Sequence, residues 1–346
     1  MTTTLDPTKL DPATGLARPA RSHRIDVWEP EDPAFWAAGG GAVARRNLVF
    51  SILSEHIGFS VWTMWSVLVL FLGPKYGLKP EDKFLLTSVP VLVGSVLRLP
   101  YTFAVATFGG RNFASSMANI NAFYPQHLKG RALGLNAGGG NLGVAAVQLA
   151  GLLVLATAGK DHPRYLIAAY LPLIVVATVL AWSRMDNLTA ARNDKRAMRN
   201  VCRDPHTWII SLLYVGTFGS FIGFGFAFGQ VLQVQFKSHD PTPLDAAYLT
   251  FVGPLLGSFA RPLEGAGADP VASDRQARRS SSALIGIAGA IGAFGGVLVN
   301  VAFRQSFLET KAGNAAYVAF LCFYALCFAV TWVVYLRPSA RRLVGV

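Results

Sequence analysis

The chain has 346 residues, 52% of them hydrophobic, with 31 Lys and Arg against 19 Asp and Glu for a net charge of +12 and only 14% charged side chains overall. Soluble domains carry about 25% charged residues, so this composition, with its 34 glycines, excludes both a disordered chain and a soluble globule. Three cysteines, Cys202, Cys322 and Cys327, are too few for a disulfide framework, and with no Cys/His cluster at metal-ligand spacing neither a metal nor a cofactor is expected.

Residues 1–47 are polar, hold six Lys or Arg, and lack the apolar core of a cleavable signal peptide, so they read as a cytoplasmic tail. A helix that crosses a bilayer needs about 20 mostly apolar residues, because every backbone polar group must be bonded within the segment. Eight stretches qualify in chain order: 48–73, 84–108, 132–158, 165–182, 208–234, 246–263, 281–303 and 314–336. They contain three formally charged side chains, Glu55, Arg98 and Arg261. A ninth apolar stretch, 112–125, has 14 residues and ends in a proline; it is too short to span and reads as a half helix or re-entrant piece.

The basic stretch 183–207 divides the chain into an N-terminal bundle, 48–182, and a C-terminal bundle, 208–336, with 337–346 as a second tail. With 112–125 not crossing, 21 Lys or Arg fall on one set of faces and eight on the other, which places both termini in the cytoplasm. The surplus charge therefore belongs at the inner face of a lipid bilayer, not on nucleic acid. The expected class is an all-α polytopic membrane protein.

The two halves repeat. Gly94-Ser95-Val96-Leu97-Arg98 recurs as Gly257-Ser258-Phe259-Ala260-Arg261, and Gly134, Gly140 and Gly143 recur at the same spacing as Gly286, Gly292 and Gly295. The offset between the arginines is 163 residues and that between the glycines 152, so the halves are not equally complete.

An arginine in the hydrocarbon core costs about 2.5 kcal/mol or more, so it faces a cavity or a partner. Two guanidiniums in equivalent places would meet at the repeat interface as a positive site, and their planar N–H forks suit a small flat oxyanion. The competing reading is that each arginine snorkels or pairs with Glu55; Arg261, close to the end of its stretch, fits this best. The glycine-rich stretches 130–143 and 286–296 could line a tight site with bare backbone or simply let helices approach. Glu55 and His56, inside the first crossing, are candidates to carry a coupling proton, with a counter-ion role as the alternative. Tyr214 and Phe218, one turn apart, read as packing. No nucleophile and base set or phosphate loop appears, so no enzyme is expected.

VWEPEDPAFW (27–36), LRLPYTFAV (97–105), FGGR (108–111), NFASSMANI (112–120), KGRALGLNAGGGNLGV (129–144), TFGSFIGF (217–224), GPLLGSFARP (253–262), AIGAFGG (290–296) and TWVVYLR (331–337) stand in one order along nearly the whole chain. In these motifs the chain resembles the nitrate/nitrite porter family of the major facilitator superfamily. The resemblance implies two six-helix bundles and secondary active transport of nitrate or nitrite across the plasma membrane, in nitrate assimilation. It puts the anion between Arg98 and Arg261, with Phe113, Asn141, Tyr214 and Phe218 around it and the glycine signatures, Gly138 and Gly289 among them, beside it. The Glu55-His56 pair looks like the branch that moves nitrate in symport with protons.

This chain departs from the pattern in places. FGGR runs straight into NFASSMANI, and ARPLEG jumps through 265–279 to the second glycine signature, so the third helix, part of the fourth, and the ninth and tenth are expected to be missing. About eight spanning helices and one half helix remain. Ala137 and Glu264 stand where the family has glycine, and Asn300 where it has proline. The alternatives are a truncated membrane protein unable to transport, or a porter for another small anion.

Overall fold

The computed structural model describes residues 23–72, 76–108, 116–159, 161–188, 195–235, 249–268 and 277–337. A two-residue strand, β1 (Arg24–Ile25), precedes the first helices. Asp32 then opens a helical run: its Oδ1 accepts from the Ala34 N–H at 2.8 Å, and Pro33 fills the first helical position, where no donor is needed. After a kink at Gly39, whose φ of 140° suits glycine alone, come α1 (Gly41–Thr63) and α2 (Trp65–Phe71).

α3 (Pro80–Phe108) keeps its course through Pro90 and Pro100. α4 (Ser116–Phe123) has eight residues, about 12 Å at 1.5 Å per residue, and stops at Tyr124 before the extended Pro125. Of the stretch expected to be too short to span, the described residues Ser116–Phe123 form two turns of helix. α5 (Gln126–Ala158) ends at Gly159, whose φ is +78°, and α6 (Arg164–Arg184) leads into β2 (Asn187–Leu188), which pairs in parallel with β1. Within the basic linker lies α7 (Lys195–Arg203).

In the second half, Asp204 caps α8 (Pro205–Tyr214), accepting from the His206 N–H at 2.9 Å. A wide turn over Val215–Gly219 joins it to α9 (Ser220–Gln235). α10 (Val252–Ala268), α11 (Ala277–Thr310) and α12 (Asn314–Thr331) follow.

Among the described residues six helical runs are long and apolar enough to cross a membrane: Pro33–Phe71, Gln126–Ala158, Arg164–Arg184, Pro205–Gln235, Leu284–Thr310 and Asn314–Leu336. The other two expected crossings are the helices α3, of 29 residues, and α10, of 17. Lipid-facing character is plain on α6 and α12, where Val175 and Trp182, and Leu321 and Phe328, are exposed.

Each glycine-rich helix packs against the arginine-bearing helix of the other half. α5 lies along α10, and α11 along α3. A Cβ at Gly134 would sit 2.5 Å from the Arg261 carbonyl oxygen, and one at Gly138 2.6 Å from that of Ser258, so both positions need glycine for backbone-to-backbone contact. Buried amides and hydroxyls join the helices further. Thr87 donates to Asn300 Oδ1 at 2.9 Å and accepts from Gln230 Nε2 at 3.1 Å, tying α3, α11 and α9 together.

Candidate functional site

The helices enclose a cavity of about 960 Å³ between the two halves, and both intramembrane arginines line it. Arg98 enters from α3. Its Nη1 donates to the Gly289 carbonyl on α11 at 3.1 Å, and its guanidinium carbon lies 5.8 Å from the centre of the Phe218 ring. Phe218 stacks on Tyr214 with centroids 5.1 Å apart and planes within 12°, so the two rings stand as one slab beside the guanidinium. The wide turn at Val215–Gly219 brings the pair into register on the cavity side.

Arg261 enters from α10, its side chain 23% exposed, with Nη1 3.7 Å from Oε2 of Glu264, which is 63% exposed. The pairing with Glu55 that the sequence offered as the alternative is not seen for this residue among the described contacts; its carboxylate neighbour is Glu264. Arg261 faces the cavity, and it shares its charge with a carboxylate one turn along its own helix. Asn141, buried on α5, also lines the wall.

Glu55, on α1, is the one carboxylate among the described lining residues. It lies within electrostatic reach of Arg98 and accepts a hydrogen bond from Ser116 on α4, which in turn accepts from Asn136 Nδ2 at 2.8 Å. With Glu55 ionised, the described lining carries one net positive charge, set by Arg98 and Arg261.

Three sequence expectations change here. His56 does not face the cavity: successive helical residues point about 100° apart, and its Nδ1 lies 3.1 Å from the Gly139 carbonyl oxygen on α5. Gly138 is a packing residue against α10 and not a lining one. The cavity as a whole is also not tight: at about 960 Å³ it is far larger than one small ion. Two glycines make room for the charged side chains: a Cβ at Gly140 would lie 2.8 Å from Glu55 Oε2, and one at Gly289 3.0 Å from Arg98 Nη1. Gly289 does line the cavity, as expected, while Phe113 lies outside the described residues.

Ser116, Asn136 and Met117 were not singled out from the sequence; a serine or asparagine in an apolar stretch gives no sign of whether it faces a carboxylate or its own backbone. Among the described residues no group of three or more His, Cys, Asp or Glu is placed to hold a metal ion.

A family model described as Major Facilitator Superfamily matches residues 47–338. The chain is 29% identical to the nitrate/nitrite transporter NarU of Salmonella typhimurium over 454 residues, covering 92% of this chain and 97% of that protein. It is 28% identical to NarU of Escherichia coli over 446 residues, with 90% and 96% covered, and 29% identical to the probable nitrate/nitrite antiporter NarK2 of Thermus thermophilus over 314 residues, with 72% and 70% covered. The first of these alignments runs over 454 positions although the chain has 346 residues, so more than a hundred positions of that relative have no counterpart here.

Proposed function

The chain belongs to the Major Facilitator Superfamily, and on that premise we propose that it carries nitrate and nitrite across the plasma membrane, with the anion held between Arg98 and Arg261. It is an integral membrane transporter, not an enzyme. The observation that carries the site is that two cations from opposite halves of the chain line one cavity. Two cations facing one cavity attract an anion, and a mobile anion can also leave.

Several features support this reading. The Tyr214-Phe218 slab gives a flat face against which a planar ion stacks while the guanidinium forks donate in its plane. Relatives named as nitrate/nitrite transporters favour that ion over others, a choice that cavity size does not make. Glu55, the one carboxylate among the described lining residues, is the candidate proton carrier for symport, since its protonation would remove that negative charge and make the lining more positive. His56 is not assigned that role because it is not among the residues that line the cavity. Both termini are assigned to the cytoplasm on the distribution of Lys and Arg.

The test is nitrate uptake into proteoliposomes by the purified chain. Uptake lost in Arg98→Ala and in Arg261→Ala, with folded protein retained, is the expected result; Glu55→Gln is expected to keep nitrate movement but lose its dependence on an inward proton gradient.

A second reading has its own observation, the positions of NarU that lack a counterpart here. On it, helices missing after residues 111 and 268 leave an opened cavity that binds anions without moving them. Wild-type vesicles that show nitrate binding and no flux would select this reading over transport.

A further inference from the structure

The motif VWEPEDPAFW is used by nothing in the site described above, yet Trp28, Glu31 and Trp36 within it each contact residues about 90 positions away. We propose that the segment from His23 to Trp36 is a strap that positions α4, and through α4 the Ser116 hydroxyl that holds Glu55 in the cavity wall.

α4 is held at several points along its eight described residues. Its C-terminal end is held by the strap. Trp28 Nε1 donates to the Phe123 carbonyl at 3.1 Å, one of the acceptors a helix end leaves open, and the Trp28 ring meets Phe123 edge-on at 4.8 Å. Just past the break, Glu31 Oε1 accepts from the Gln126 N–H at 3.0 Å and caps α5, while Trp36 packs edge-on against Tyr124.

The middle of α4 is held by the end of α6. Asn119 Nδ2 donates to the Asp186 carbonyl at 3.2 Å, and Ile120 is fully buried in one cluster with Ile25, Val43 and Ala44. Asp186 is itself the knot of the strap. Its carboxylate, fully buried, pairs with Arg46 at the start of α1 and lies 3.4 Å from His23 Nδ1, and its N–H donates to Asn47 Oδ1 at 2.8 Å. The Asn187 N–H donates to the His23 carbonyl at 2.8 Å, the hydrogen bond that starts the β1 and β2 pairing. At the N-terminal end of α4, Ser116 holds Glu55, with Asn136 behind it. A displacement of the strap thus reaches the cavity through two turns of helix. Met185, next to Asp186, lines the same cavity.

The experiment uses the full chain in detergent with Cys202, Cys322 and Cys327 replaced, Ile120→Cys as reporter on α4, and Ala293→Cys, also fully buried, as reporter on α11. Maleimide labelling of the α4 reporter is expected to speed up at least tenfold when Trp28→Ala is added, with the α11 reporter still protected. An unchanged α4 rate overturns the proposal. If both reporters open, Trp28→Phe decides, since it keeps a ring and drops only the N–H donor: a twofold to fivefold rise at position 120 supports the strap, and no rise overturns it.

The second readout rests on the transport reading. The change that Ser116→Ala makes in the half-saturating nitrate concentration is expected to vanish once Trp28→Ala is present; simple additivity overturns the positioning role. A wild-type chain that moves no nitrate removes the transport reading, while the labelling still decides the strap.

Discussion

A methyl group added at Gly289 would sit 3.0 Å from Nη1 and 3.6 Å from Cδ of Arg98, with no backbone of another helix within 4 Å. The neighbour that must give is therefore the end of a flexible side chain, and α11 keeps its place against α3. Moving the guanidinium by a few tenths of an ångström stretches its 3.1 Å bond to the Gly289 carbonyl toward the limit of hydrogen bonding. Removing hydrogen bonds to charged groups costs about 1.5–3 kcal/mol; a stretched one forfeits part of that, about 0.5–1.5 kcal/mol. At 1.4 kcal/mol per factor of ten, Gly289→Ala is expected to raise the half-saturating nitrate concentration roughly twofold to tenfold with little change in the unfolding midpoint.

Gly143→Ala is the contrast. Its Cβ would lie 2.1 Å from the His56 carbonyl oxygen, fixed backbone that cannot turn aside, so loss of folded protein is expected there. Uptake kinetics in proteoliposomes beside thermal unfolding in detergent separate the two. If Gly289→Ala leaves half-saturation within about 1.5-fold of wild type, or destabilises as much as Gly143→Ala, the placement of Arg98 against that glycine is refuted.

Three further outcomes are expected. Thr87→Val removes the hydroxyl shared by Asn300 and Gln230; such bonds in membranes measure about 0.6–1.7 kcal/mol, so the unfolding midpoint should fall while nitrate half-saturation stays put. Arg46→Ala takes a cation from the fully buried Asp186 carboxylate and leaves His23 beside it; breaking a fully buried pair costs about 3–5 kcal/mol, an upper bound here because the Arg46 side chain is 33% exposed, and this variant should unfold earlier than Arg46→Ala combined with Asp186→Asn. Glu264→Gln releases Arg261 from its neighbour; because Glu264 is largely exposed, the pair is worth about 0.2–1 kcal/mol, and nitrate half-saturation should drop by up to about fivefold, an unchanged value meaning that the carboxylate does not compete with the anion.

The amino-acid sequence by itself determined the class of molecule and the identity of its charged centre. Apolar stretches of the right length become helices because a helix bonds every backbone polar group within the segment, and the helix end at Phe123 was legible from the proline two residues on. Arg98 and Arg261 stand out for the same reason, since a charge among apolar residues is costly and local composition reveals it. Whether both line one cavity is not written in any local pattern. That depends on helices distant in sequence, α3 against α11 and α10 against α5, and on backbone contacts at Gly134 and Gly138. Direction was also beyond the sequence. Glu55 and His56 are neighbours in the chain and both lie against α5, Glu55 at Gly140 and His56 at Gly139, but of the two only Glu55 is among the residues that line the cavity. Tertiary packing alone decided that the glycines shelter charged side chains and helix contacts, and that Asp186 is buried, because the partner that makes a buried carboxylate tolerable, Arg46, lies 140 residues away.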